Sequence, residues 1–186
     1  MNKYRYCSQC GKESISFKIP DGDTLHRHVC DHCHIIFYEN PKIVVGAVTT
    51  YEDKFLLCKR AIEPQQGFWT YPAGYLENRE SLEQGVHREA SEEAGITIKL
   101  TRLLGTYSLT AIDQVHIIYA AEMIKPEYYP GKESLEVALF TQDEIPWDDL
   151  AFPVIRWALK AYIHDKSGRV DSKVSDKSFP ESLSDD

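Results

Sequence analysis

The chain has 186 residues, 42% of them hydrophobic, which suits one ordinary domain with a real core and a small accessory module. Its formal net charge is −8 and it carries no basic run, which argues against nucleic acid or an anionic membrane as partner; an acidic protein that handles phosphates needs a divalent cation to neutralise them. No apolar stretch approaches the ~20 residues of a membrane span and the N-terminus has no apolar signal core, so a cytoplasmic location is expected, where paired cysteines point to metal rather than to disulfides.

Residues 1–38 hold four of the five cysteines and read as two short strands, 14–19 and 25–29, around the turn Pro20-Asp21-Gly22-Asp23. Cys7-x-x-Cys10 and Cys30-x-x-Cys33 form two knuckles whose four thiolates suit one tetrahedral structural zinc. A segment with so few apolar side chains needs such a staple to fold. His26, His28, His32 and His34 are expected on the surface, and Cys58 as a small buried hydrophobe.

Residues 43–50 (IVVGAVTT) read as a core strand, paired through a short turn with 54–59. A loop is expected over 60–80. A helix follows over 81–94, with Ser81 and Gln84 in capping-box spacing and Gly95 as its stop. Strands are expected at 96–104, 105–109, 115–123 and 137–140, a loop at 127–133, a turn or short helix at 145–150, and a helix at 152–164. Residues 167–186 are rich in Ser, Asp and Lys and are expected to be a disordered tail. The helices are too few to cover a parallel sheet, so residues 39–166 are expected to form an α/β/α sandwich around a mixed β-sheet.

The segment 74–96 carries the chemistry. Glu89, Glu92 and Glu93 lie at i, i+3 and i+4 and share a helix face. Leu82, Val86 and Ala90 mark the face that packs on the sheet, and Glu89 and Glu93 fall close to that line, where carboxylates break the local rule. Hard oxygen ligands on a rigid helix suit Mg²⁺ or Mn²⁺, and a divalent ion would relieve the repulsion. Arg88 can bridge to Glu80 or Glu77 and hold the preceding loop against the helix.

These residues resemble the Nudix box, G-x5-E-x7-R-E-U-x-E-E-x-G-U with U apolar. Gly74, Glu80, Arg88, Glu89, Ala90, Glu92, Glu93, Gly95 and Ile96 occupy every specified place. The resemblance implies the α/β/α Nudix fold and metal-dependent hydrolysis of a nucleoside diphosphate linked to another group. It implies Glu89, Glu92 and Glu93 as catalytic magnesium ligands, the Ala73 carbonyl in the metal shell, and Glu93 or a loop glutamate orienting or deprotonating the attacking water. Arg88 and Glu80 become a structural ion pair, and Glu136, in the run Glu133-Ser134-Leu135-Glu136, the distal ligand or base. Arg60 could then grip the diphosphate, and Phe68, Trp69 and Tyr71 could stack on adenine or flavin, although each aromatic suits core packing at least as well.

With its ribbon, the chain resembles the short zinc-ribbon Nudix proteins that include a plant chloroplast FAD pyrophosphatase, on IPDGD at 19–23, ENPKIVVG at 39–46, LLCKR at 56–60, PAGYLE at 72–77 and ESLEVALF with DEIPWDDLAF at 133–152. No transit peptide is seen, so the chloroplast location does not carry over. FAD or ADP-ribose, cleaved with release of AMP, is the expected substrate. NADH or a dinucleoside polyphosphate is the alternative, although the SQPWPFPxS-like motif of NADH pyrophosphatases is missing. A non-catalytic ligand sensor would have a degraded box. A homodimer is implied, since Nudix domains commonly pair.

Overall fold

The computed structural model describes residues 4–164 and 168–176. The chain divides into two compact units, residues 1–40 and 41–186. No helix among the described residues is long and apolar enough to cross a membrane.

The first unit is a three-stranded antiparallel sheet of β1 (Ile15–Lys18), β2 (Arg27–Cys30) and β3 (Ile36–Phe37), in that order. Its apolar packing is mostly aromatic: Tyr4 stacks on Phe37 and meets His28 edge-on, each at 5.0 Å between ring centroids, and Phe17 lies 4.9 Å from His28. His26, His32 and His34 are exposed, whereas His28 is half-buried among these rings.

The second unit is built on β4 (Lys42–Tyr51), β5 (Lys54–Arg60), β6 (Trp69–Thr70), β7 (Ala73–Tyr75), β8 (Ile98–Leu109), β9 (Gln114–Met123), β10 (Ser134–Phe140) and β11 (Asp171–Ser175). The sheet runs β10-β5-β4-β9-β8-β11, with β6 on β5 and β7 on β4. The β4–β9 and β8–β11 pairs are parallel and the rest antiparallel, so the sheet is mixed. Helix α1 (Leu82–Ala94) covers one face, where Val45, Ala47, Leu56 and Cys58 pack on Val86, Ala90 and Ala94. Helix α2 (Pro153–His164) covers the other, with Val154, Ile155, Ala158 and Leu159 against Val48, Leu57, Tyr107 and Ile118. This is the α/β/α sandwich around a mixed sheet.

Helix α1 begins and ends where local rules place its ends. The Ser81 hydroxyl accepts from the Gln84 amide and the Gln84 side chain accepts from the Ser81 amide; Gly95, at φ 64°, closes the helix in the left-handed conformation.

Three expectations need correction. The segment 60–80 is not all loop: β6 lines up on β5, with Cys58 opposite Thr70 and Lys59 opposite Trp69, and β7 lines up on β4. The two strands expected at 96–104 and 105–109 are one strand, β8, with register shifts at Leu100/Arg102 and Leu103/Gly105 that absorb the break in pattern. The tail expected to be disordered contains β11, which pairs with Gly105–Leu109 of β8, and the Lys173 ammonium lies 5.7 Å from the Trp157 ring centroid. Backbone pairing at a sheet edge holds this strand although Val174 is 70% exposed, and composition does not report that bond. Residues 165–167 and 177–186, including most of the expected tail, lie outside the described residues.

Candidate active site

The site lies where β7 lines up on β4 and the C-terminal half of α1 passes over them. Glu89 and Glu93 are each 8% exposed, whereas Glu92, on the outer face of the helix, is exposed. The Ala73 amide donates to Glu93 Oε2 at 3.0 Å, which sets the start of β7 against this carboxyl. A Cβ on Gly74 would come within 2.3 Å of Glu89 Oε1, so only glycine lets β7 pass this close to the carboxylate.

Arg88 gathers the rest. Its Nε donates to Glu80 Oε1 at 2.9 Å and its Nη2 to Glu80 Oε2 at 3.0 Å, a bidentate pair. The same guanidinium donates to Glu89 (2.6 Å), to Glu92 (3.1 Å) and to the Tyr75 carbonyl (3.0 Å). Glu80 Oε2 also accepts from the Glu77 amide, so the loop after β7 is tied to α1 at both ends of this network. Arg88 thus relieves part of the repulsion among these glutamates without a metal. We expect Arg88→Ala to cost about 3 kcal/mol, because it strands the largely buried Glu80 and Glu89 carboxylates, and Arg88→Lys to recover little, because one ammonium cannot reproduce the fork. Urea unfolding of the three proteins measures both.

Burial pushes the Glu93 carboxyl up to about 8, helped by the charges of Glu89 and Glu133 and opposed by the Ala73 amide and Arg60. Glu89 is also raised, by burial first and by Glu92 and Glu133, against the pull of Arg88. A carboxyl raised in the folded state binds its proton more tightly there. Its stabilising contribution is therefore full below the ordinary value of 4.5 and is lost as pH rises through about 8. Metal-free protein should lose Tm across that window, and saturating Mg²⁺ should flatten the loss by compensating the ionised carboxylates. Calorimetric melts at several pH values, with EDTA or Mg²⁺, test this.

The charge of Glu133 raises both Glu89 and Glu93. Glu136 is exposed on β10 opposite Lys59 and shares the parity of Ala138 and Phe140, which pack on the α2 side. The register shift between Ser134 and Glu136 gives Glu136 that parity. In the sequence Glu133 stands only as part of the run 133–136, and the close approach of its loop to α1 at Gly131 is a property of the fold.

Arg60, at the end of β5, lies close enough to favour the Glu93 carboxylate; its Nε donates to the Pro64 carbonyl at 2.9 Å and its guanidinium carbon lies 5.2 Å from the Phe152 ring centroid. Phe68 is half-buried and its carbonyl accepts from the Arg60 amide. Tyr71 and Trp69 do not offer open ring faces: both pack in the core under α2, Tyr71 at 1% exposure, and Trp69 meets Phe140 edge-on at 4.9 Å. The physical reason is the β6 pairing, which turns the expected loop into a layer of the core.

The four cysteines are the only group of three or more His, Cys, Asp or Glu side chains, among the described residues, whose ligand atoms lie within 4.8 Å of one another. Sγ–Sγ distances of 3.6 Å for Cys7–Cys33 and 3.7 Å for Cys10–Cys30 match the roughly 3.8 Å edge of a tetrahedron with ~2.3 Å zinc–sulfur bonds. Both knuckles close the same way. Gly11 donates to the Cys7 carbonyl and His34 to the Cys30 carbonyl, each at 2.8 Å, with φ of 72° and 63°. The Cys33 amide pulls the Cys30 thiol down to about 6, whereas burial and the neighbouring sulfurs hold Cys10 and Cys33 up, a crowding of thiols that one shared cation would relieve.

Comparison with known proteins agrees with this geometry. A zinc-ribbon family, described as Nudix N-terminal, matches residues 5–39, and the NUDIX domain matches residues 40–158. The ADP-ribose pyrophosphatase of Methanocaldococcus jannaschii is 31% identical over 135 residues, 70% of this chain and 78% of that protein. The NAD-capped RNA hydrolase NudC of Pseudomonas syringae is 28% identical over 169 residues, 89% of this chain but only 58% of its own length. A crystal structure of a NUDIX hydrolase from Nitrosomonas europaea is 45% identical, has a TM-score of 0.89, and covers 94% of this chain and 100% of its own. With the box complete, the sandwich around it and the NUDIX match spanning most of its length, the chain belongs to the Nudix hydrolase family.

Proposed function

We propose that this enzyme cleaves the diphosphate bond of ADP-ribose or FAD and releases AMP. The observation that carries the reading is the pair of buried carboxyls, Glu89 and Glu93, with Glu92 and Glu133 at their rim. All four are hard oxygen donors, so the set suits Mg²⁺ or Mn²⁺, and a cation there would offset the burial and like charge that hold Glu93 above its ordinary range. A divalent ion bound there would neutralise the diphosphate and acidify a water. Arg60 adds positive charge on the β5 side for the substrate phosphates. Glu93 or Glu133 takes the proton of the attacking water; the water oxygen bonds to one phosphorus, the bridging P–O bond breaks, and the second phosphorylated fragment leaves with the bridging oxygen. The likeness to the archaeal ADP-ribose pyrophosphatase supports the substrate class.

A second reading, NADH or a NAD-capped RNA, is favoured by the likeness to NudC, which runs through ribbon and Nudix domain together. The missing SQPWPFPxS-like motif weighs against it. The deciding experiment offers ADP-ribose, FAD, NADH, diadenosine polyphosphates and NAD-capped RNA with Mg²⁺ or Mn²⁺ and compares kcat/KM. ADP-ribose or FAD should lead; a lead for NADH or capped RNA moves the enzyme to the second reading. The expected setting is a cytoplasmic homodimer with structural zinc, which light scattering and metal analysis of the purified protein check.

A further inference from the structure

An α-helix ends with carbonyls that have no partner inside the helix. At the end of α1, Gly95 and Ile96 turn back to Ala90 and Ser91. The carbonyls of Glu93 and Ala94 are taken instead by a distant loop: Gly131 donates to Glu93 O and Tyr129 to Ala94 O, each at 3.0 Å. Glu93 therefore holds the loop with its backbone while its carboxyl lies in the site. The approach is so close that a Cβ on Gly131 would come within 1.7 Å of the Glu92 carbonyl oxygen. The Tyr129 ring covers Gly95, where a Cβ would come within 2.4 Å of it. On the far side, Ser134 donates to the Gly131 carbonyl at 3.2 Å and Ala61, just after β5, to the Glu133 carbonyl at 2.8 Å. Glu133 is thus pinned between two fixed points, although it and its neighbours Tyr129, Pro130 and Lys132 are exposed.

We propose that Gly131 and Tyr129 are positioning residues that fasten the loop 127–133 to the open end of α1 and thereby fix the Glu133 carboxylate beside Glu89 and Glu93. The proposal rests on the reading that those carboxylates receive a divalent cation. A larger residue at 131 must push the loop away from Glu92, and the exposed segment can yield without unfolding the sheet. The loss then falls on the placement of Glu133 and not on the chemistry of any side chain at 131.

The test is a double-mutant cycle on Mn²⁺ binding, read by titration calorimetry with wild type, Gly131→Ala, Glu133→Gln and the pair. Each single change should weaken binding about tenfold, and the pair no more than Glu133→Gln alone. Wild-type binding by Gly131→Ala, or losses that multiply in the pair, would overturn the positioning role while leaving the metal site standing. A wild type that binds no Mn²⁺ would overturn the site and the positioning role together, a result of a different kind. Near-ultraviolet circular dichroism checks the fold; should Gly131→Ala not fold, Tyr129→Gly, which strips the ring from Gly95 and loosens the same anchor, decides the question by the same cycle.

Discussion

Glu93→Gln should lower kcat by about a thousandfold with Mg²⁺ present, the scale seen when one preorganised electrostatic group is removed from a transition state. It should not unfold the protein. The glutamine carbonyl oxygen can still accept from the Ala73 amide, now 3.0 Å from Glu93 Oε2, and the side chain keeps its volume. It also removes an acid that burial holds up to about 8, so the metal-free variant should be more stable than wild type near that pH and no more stable in mild acid. Higher stability with lost turnover separates a functional carboxylate from a packing residue. Steady-state kinetics and melts of the same two proteins give both readings. Full activity, or a variant less stable than wild type at high pH, would remove Glu93 from its assigned role.

Replacing Cys30 and Cys33 together by serine should release zinc and unfold the first unit. Its sheet has only the short strands β1, β2 and β3 and a small cluster of half-buried and exposed rings, so zinc–thiolate bonding would be its main source of stability. The second unit has its own core on both faces of its sheet and should keep its melting transition. Metal analysis by mass spectrometry, with near-ultraviolet circular dichroism, follows the loss. One zinc retained per chain in the double variant would contradict the four-thiolate site.

Features set by neighbours along the chain were legible in the sequence. The capping box at Ser81, the left-handed stop at Gly95, the buried line of Val86, Glu89, Ala90 and Glu93, and the two knuckles all depend on residues a few positions apart. Arg88 bonds the Glu80 carboxylate, which also accepts from the Glu77 amide, and it reaches Glu89, the next residue, and Glu92, its i+4 partner on the same helix, a local spacing that the sequence also offers. Features set across the sheet were legible where a short turn joins the strands, as between β4 and β5, and not in the segments below. Trp69 and Tyr71 became core because β6 found β5 as partner, and a segment of Pro and Gly gave no sign of that pairing. The face that Glu136 takes depends on one register shift in β10, which reverses the face of each later side chain. Strand β11 has a polar composition and is held by the edge of β8, a property of its neighbour rather than of itself.

The most direct test of the central claim is anomalous diffraction at the manganese edge from crystals soaked with Mn²⁺ and a non-hydrolysable ADP-ribose analogue. A peak bounded by the carboxylates of Glu89, Glu92 and Glu93, with the analogue's diphosphate against it, is the expected result. Density for the analogue with no peak there, and those three side chains unmoved in their contacts with Arg88 and Ala73, would contradict it.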